Sequence, residues 1–251
     1  MGSSACGAYS RYSARQGYVS RHQSAAPLEL APSRETTWKG IVSRLERNWQ
    51  YAEQYPGETE ALVRARRLSL ELGIEPVSRS VGSHLSGLAV LTRAQSICEV
   101  GTGVGVSGLS LLRHTTEATL TSIESEAEHL RQARSVFSDA GVPAARLRLI
   151  EGDARHVMPR LNLSSYDLVL LNADPAQLLE HFEYALGIVR PGGCIVVPGA
   201  FAHGRVPDPA ARDAETQAVR DLLALVAESP AIAPMLSPSG DGLLTLVRLD
   251  G

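Results

Sequence analysis

Lysine is almost missing from this chain. Lys39 is the only one in 251 residues and every other strong cation is arginine, so no lysine beyond residue 39 is available as a general base. Cysteine is also scarce. Cys6, Cys98 and Cys194 are odd in number and far apart, and two of them sit in apolar, strand-like runs, which excludes a disulfide framework and fits reduced, buried thiols in a cytoplasmic protein. No apolar run approaches the ~18 residues of a membrane span. Positive charge is not in excess either: the formal balance of −3 offers no field for a phosphate backbone, so neither membrane nor nucleic acid is an expected partner. Acidic residues are absent before Glu29. Residues 1–35, rich in Ser, Ala, Arg and Tyr, read as a disordered tail; Gly2 starts no myristoylation signal because Cys6 stands where Ser or Thr is needed.

What is present is a glycine turn at the end of an apolar run. Ile97, Cys98 and Val100 suit a buried parallel strand, Gly101-Thr102-Gly103-Val104-Gly105 breaks it, and Leu109, Leu111 and Leu112 suit a helix packing back on it. Glycines let backbone approach a ligand, and the N–H groups of an opening helix favour an anionic group. Gly103-x-Gly105-x-x-Gly108 also satisfies the dinucleotide pattern, with Glu124 at about the ~20-residue distance for a ribose contact. A nicotinamide-dependent dehydrogenase would further need a hydride-transfer acid or base, and none can be placed.

Glu99 inside the strand, followed by Gly-Thr-Gly and Ser107, resembles the first motif of class I S-adenosylmethionine-dependent methyltransferases. More narrowly the chain resembles the small-molecule O-methyltransferases of the catechol and caffeoyl-CoA type, from about Glu75 to Leu249. The resemblance implies a Rossmann-like, doubly wound α/β fold. Its sheet would be seven-stranded and mostly parallel, with an antiparallel C-terminal strand.

The pattern of the chain agrees with a strand–helix alternation. Residues 36–74 read as two cap helices, the first with Trp38, Ile41, Val42, Leu45 and Trp49 on one face that packs on the core, and 75–251 as the cofactor-binding domain. A helix runs from Pro76-Val77-Ser78 to Leu91 and the first strand through Val100. Strands follow at Leu120–Ile123, Leu147–Ile150, Tyr166–Leu171, Cys194–Val197 after a Gly192-Gly193 turn, and Leu243–Leu249. Helices are expected over Glu126–Asp139, up to Ile188, and over Asp208–Glu228. In the resembled family the cap helices also help form a dimer, so a homodimer through Thr36–Leu72 is expected.

Ligands in such sheets bind beyond the carboxyl ends of the strands. There, Ser107 with the backbone of Gly101, Thr102 and Gly103 is expected to hold the methionyl carboxylate of S-adenosylmethionine. Glu124 would accept from the two ribose hydroxyls. Glu99 would order the loop or touch the methionyl end. By resemblance, Val77 meets the methionyl part, Ala154 lies beside the adenine, and Asp174 faces the ammonium group.

The acceptor half departs from the family. Metal-dependent members bind magnesium or calcium through three oxygen ligands; Asn172, Pro198 and Gly199 stand at those positions here, and Pro175 replaces the general-base lysine. No divalent metal is therefore expected. Asn172 still offers a carbonyl oxygen to a substrate. His203 is the candidate for taking the acceptor's proton, Arg205 for pairing with an acidic acceptor, and His181 reads as a packing residue. The expected activity is metal-independent O-methyl transfer to a small molecule, an acidic phenol or carboxylate being favoured. The alternative is a cofactor-binding partner or regulatory protein of the same fold that has lost turnover.

Overall fold

The computed structural model describes residues 36–250, with side chains from residue 44 onward. The 1–35 tail and the side chains of Trp38, Lys39, Ile41 and Val42 lie outside the described residues. The packing below is that of the unit Ser43–Gly251.

Seven strands form one sheet in the order β3-β2-β1-β4-β5-β7-β6. They are β1 (Ser96–Val100), β2 (Thr119–Glu124), β3 (Leu147–Glu151), β4 (Tyr166–Leu171), β5 (Val189–Pro198), β6 (Ile232–Ser237) and β7 (Leu243–Arg248). β1 to β5 pair in parallel, and β7 runs antiparallel to both β5 and β6. The order reverses between β1 and β4, which is where an open α/β sheet leaves a crevice at its carboxyl edge.

Eight helices flank the sheet in the described residues: α1 (Thr36–Gln54), α2 (Glu60–Glu71), α3 (Arg79–Leu91), α4 (Val106–Leu112), α5 (Ala127–Asp139), α6 (Ala154–Val157), α7 (Leu178–Ile188) and α8 (Ala214–Ala227). The period-2 alternation of β1 sorts them into two layers. Ile97 faces a core built with Leu62, Leu85, Leu109 and Phe137 from α2 to α5. Cys98 and Val100 face the opposite core, with Ala154, Phe182 and Val219 from α6 to α8. Burial pushes the Cys194 thiol up to about 12, and Cys98 is raised further, so both are inert. No described helix is long and apolar enough to cross a membrane.

Several elements differ from the pattern of the sequence. β5 begins at Val189, because Arg190-Pro191-Gly192-Gly193 is a bulge inside the strand: Tyr166 pairs with Val189 and Leu168 with Cys194. Arg190 closes this bulge on Asp167 at 2.6 Å. α8 starts at Ala214 instead of Asp208, since Asp213 caps it by accepting from Thr216 N at 2.9 Å. Pro207 and Pro209 keep the preceding segment non-helical. β6 had no mark in the sequence; its Pro234 is tolerated at an edge. Leu45 and Trp49 do not join the core. They are 61% and 46% exposed, because α2 to α5 already cover that face of the sheet. The Trp49 indole instead donates to the Pro238 carbonyl at 3.2 Å.

Two glycines fix the turn after β1. Gly101 has φ 87°, and a Cβ there would lie 2.0 Å from the Asn172 carbonyl oxygen, so β1 and β4 can end side by side only with glycine at this point. Gly108 lets α4 press on Phe137, which would be 2.7 Å from an added Cβ.

Beneath the turn lies a buried carboxylate. Glu99 is wholly enclosed; its Oε1 accepts from Ser107 Oγ and its Oε2 from Ser122 Oγ, both at 2.5 Å. The proton of Ser122 being committed to Glu99, Thr102 Oγ1 donates to Ser122 Oγ at 2.5 Å. One carboxylate thus ties the turn, the first turn of α4 and β2 to β1. Burial outweighs the two hydroxyl donors and pushes its carboxyl up from 4.5 to about 7. The folded state therefore holds a proton that the unfolded chain releases. Its stabilising contribution is complete below about pH 4.5 and lost as pH rises through about 7. Glu99→Gln should remove this dependence: across that window the wild-type protein should lose roughly 3 kcal/mol relative to the variant. Thermal or urea unfolding across the pH series checks it, and parallel curves for the two proteins would refute it.

Candidate active site

A cleft of about 370 Å³ opens over the carboxyl ends of β1, β2, β3 and β4. Backbone bonds extend the strand ladder to its rim: Gly101 N donates to Ile123 O, Gly152 N to Glu124 O and Asn172 N to Val100 O, each at 2.9 Å. The walls are therefore rigid where a ligand would touch them.

Of the residues read from the sequence, Val77, Gly101, Thr102, Gly103, Ser107, Glu124, Ala154, Asn172 and Asp174 all line this cleft. Val77 is held there by Arg66, which donates to its carbonyl at 2.6 Å while the same guanidinium pairs with the enclosed Glu58. Glu124 is buried, and its carboxylate fixes the turn. Oε2 accepts from Gly103 N at 2.8 Å, which leaves it a further lone pair, and Oε1 accepts from Glu126 N at 3.0 Å and from Ser125 Oγ at 3.5 Å. His129 Nδ1 stands 3.8 Å away. Asp174 is exposed and caps the turn that follows by accepting from Ala176 N at 2.9 Å.

One expectation needs correction. Glu99 does not reach the cleft; it lies under the floor with both oxygens taken by serines, and its effect is to order the loop. Ser107 lines the cleft, and the contact its hydroxyl makes is with Glu99 at 2.5 Å beneath the floor.

A second cavity of about 250 Å³ adjoins the first, and Glu75, Pro76, Val77, Asn172 and Ala173 belong to both walls. Pro175, Pro198, Gly199 and His203 line this chamber. A latch from α1 joins two segments that border it: Glu53 accepts from Ser80 Oγ, and from Gly240 N at 2.7 Å, tying α3 to the β6–β7 turn. His203 is exposed with φ 56°, its N–H donating to Asp241 Oδ2 at 2.5 Å. Arg205 is not on the wall, its guanidinium being spent on Glu215, Asp213 and the Ala202 carbonyl. The charged residues that are on the wall, besides His203, are Glu75, Glu215 and Asp241. Glu215 among these is paired with the Arg205 guanidinium.

The metal positions do not fit a divalent cation. Asn172 brings one carbonyl oxygen, Pro198 and Gly199 bring no side-chain donor, and no group of three His, Cys, Asp or Glu side chains suited to a metal occurs among the described residues. To a nucleoside with a charged tail the first cleft offers the buried carboxylate of Glu124 and the backbone of the Gly101–Gly103 turn. Gln177, His181 and His129 also line it, and the sequence pattern had not marked them as site residues. Helical spacing from Asp174 could have found Gln177 and His181, three and seven residues on.

Comparison with known proteins agrees with this geometry. The O-methyltransferase family profile matches residues 56–249. A protein of Mycobacterium marinum named as an O-methyltransferase is 43% identical over 217 residues, 86% of this chain and 97% of its own. Another so named, from Mycobacterium tuberculosis H37Rv, is 44% identical over 207 residues, 82% of this chain and 92% of its own. The crystal structure of the O-methyltransferase TomG of Streptomyces achromogenes, involved in tomaymycin synthesis and solved with S-adenosylmethionine, superposes with a TM-score of 0.72. It is 26% identical, over 87% of this chain and 100% of that one. With its switch-point cleft, glycine turn and second chamber, the chain belongs to the O-methyltransferase family of class I S-adenosylmethionine-dependent enzymes.

Proposed function

We propose that this enzyme transfers a methyl group from S-adenosylmethionine to a hydroxyl of a small neutral or cationic acceptor, without a divalent metal. The observation that carries the reading is the common wall of the two cavities, Glu75 to Val77 and Asn172 to Ala173, across which donor and acceptor would meet. Bound in the first cleft, the cofactor supplies an electrophilic methyl group. Glu124 grips the ribose hydroxyls, Asp174 faces the ammonium group, and Val77 with the Gly101–Gly103 backbone confines the methionyl chain. Ala154 packs against the base.

In the acceptor chamber the work is positioning and proton removal. Holding the acceptor oxygen in line with the methyl group lowers the barrier without Lewis-acid help. His203 takes the hydroxyl proton, and Asn172 orients the acceptor. Glu75 and Asp241 favour an acceptor carrying an ammonium or no charge. A second reading, a cofactor-binding regulatory protein, draws on the same substitutions: Pro175, Pro198 and Gly199 strip the acceptor half of the family's usual lysine and metal ligands.

The exposed Leu45, Trp49, Tyr51 and Tyr55 of α1 and its end support a homodimer through the cap helices. Multi-angle light scattering should give twice the 26.8 kDa chain mass; a monomer at micromolar concentration would retire that interface.

Replacing Glu124 with Ala should weaken S-adenosylmethionine binding about tenfold or more by calorimetry, with Glu124→Gln intermediate. Unchanged affinity would mean that the ribose lies elsewhere. Hydroxylated amines and carboxylic acids, compared as acceptors with and without EDTA, test the second half. Turnover of the amines, indifferent to chelation, is expected. Loss with EDTA and recovery with magnesium would reveal a metal site, while cofactor binding without any turnover would favour the regulatory reading.

A further inference from the structure

The strip 74–78 carries Glu75, Pro76 and Val77, the residues that wall off one cavity from the other, yet it belongs to no helix or strand. Its shape therefore comes from what grips it. One face of α2 does so with two side chains three residues apart. Ser69 Oγ donates to the Ile74 carbonyl at 2.9 Å, and Arg66 Nη1 donates to the Val77 carbonyl at 2.6 Å. Ile74 in turn lies 3.4 Å from where a Cβ on Gly103 would stand, so the strip rests on the glycine turn.

Arg66 is itself aimed. Glu58 takes one edge of the guanidinium: Nη2 donates to Oε1 at 2.6 Å and Nε to both oxygens at 3.2 Å. That leaves Nη1, fixed in the plane of the same rigid fork, to reach Val77. Arg79 Nε lies 3.3 Å from Glu58 Oε2, and Arg113 at the end of α4 donates to the neighbouring Gly57 carbonyl at 2.7 Å, so the carboxylate is anchored from two sides. The Glu58 and Arg66 side chains are only 7% and 16% exposed. A desolvated ion pair adds little stability over apolar side chains of similar volume, so stability alone does not account for this one. What it does that an apolar pair could not is hold one backbone carbonyl of the dividing wall in place.

Resting on the cofactor reading above, we propose that Arg66, aimed by Glu58, is a positioning residue for the methyl donor. It sets the Val77 segment against the glycine turn and so gives the methionyl end of S-adenosylmethionine its wall. Neither Arg66 nor Glu58 lines either cavity, so the effect passes through the Val77 backbone. In the sequence Arg66 stands among Arg64-Ala65-Arg66-Arg67 with nothing to single it out.

Calorimetry on the full chain tests it, with S-adenosylhomocysteine and with 5′-methylthioadenosine, which lacks the amino-acid tail. Arg66→Met should bind S-adenosylhomocysteine about tenfold more weakly and 5′-methylthioadenosine within about twofold of the wild-type protein. Glu58→Gln should cost S-adenosylhomocysteine affinity by itself and nothing further on top of Arg66→Met, because Glu58 acts through Arg66. Unchanged affinity in Arg66→Met, equal losses on the two ligands, or additive losses in the double variant would each overturn the proposal. Should Met at this position prevent folding, Arg66→Lys decides, since it keeps a charge for Glu58 without the fork. Its thermal unfolding should stay close to that of the wild-type protein while S-adenosylhomocysteine affinity falls, and full affinity would refute the positioning role. Failure of the wild-type protein to bind S-adenosylhomocysteine at all would overturn the underlying cofactor reading instead.

Discussion

The burial of one carboxylate, Glu99, is the constraint on which the site depends. A buried carboxyl group is costly unless its oxygens are hydrogen-bonded, and here Ser107 and Ser122 occupy them. Because those serines come from α4 and β2, satisfying Glu99 fixes the start of the helix and the neighbouring strand against β1. Thr102, which donates to Ser122, brings the glycine turn into the same network. The turn then has one conformation, and Glu124 locks its far side through Gly103. Hydrogen bonding and the left-handed Gly101 thus shape the floor before any ligand arrives.

From that floor outward the site divides into two adjoining cavities. The first cleft presents the Glu124 carboxylate and the glycine turn on its walls. The adjoining chamber has lost the side chains that would hold a hard cation, and it has carboxylates on its wall instead. Such a chamber still does chemistry by confinement, because an in-line displacement depends steeply on the distance and angle at which the two reactants are held. The latch from Glu53 to Ser80 and Gly240 matters in this respect. It joins a cap helix to the two segments that bound the chamber, so the shape of the acceptor site depends on an element outside the sheet.

Much of this was legible in the sequence, for a physical reason. Period-2 and period-3.6 patterns report which face of each element is buried; β4 ends where the pattern puts it because its apolar run stops at Asn172, and α7 ends at Ile188, just ahead of the Arg190-Pro191-Gly192-Gly193 break. The glycine turn was legible because few other residues take its backbone angles. Boundaries failed where a local pattern was overridden: the Arg190–Gly193 bulge is stabilised by Asp167, seventy residues from the backbone N–H groups of Gln95 and Ser96 that the same carboxylate accepts. β6 was invisible because half of its side chains face solvent and its order comes from pairing with β7.

The sequence by itself determined the fold class, the family and many of the residues that surround the first cleft, since these follow from local pattern and from motifs contiguous in the chain. Only the tertiary structure decided what each polar group touches. Glu99 was drawn beneath the floor, Arg205 was turned away to Glu215, and His181 Nε2 was left without a partner. Those outcomes depend on which residues distant in the chain arrive within about 3 Å of one another, the range over which a hydrogen bond forms, and no periodicity encodes that.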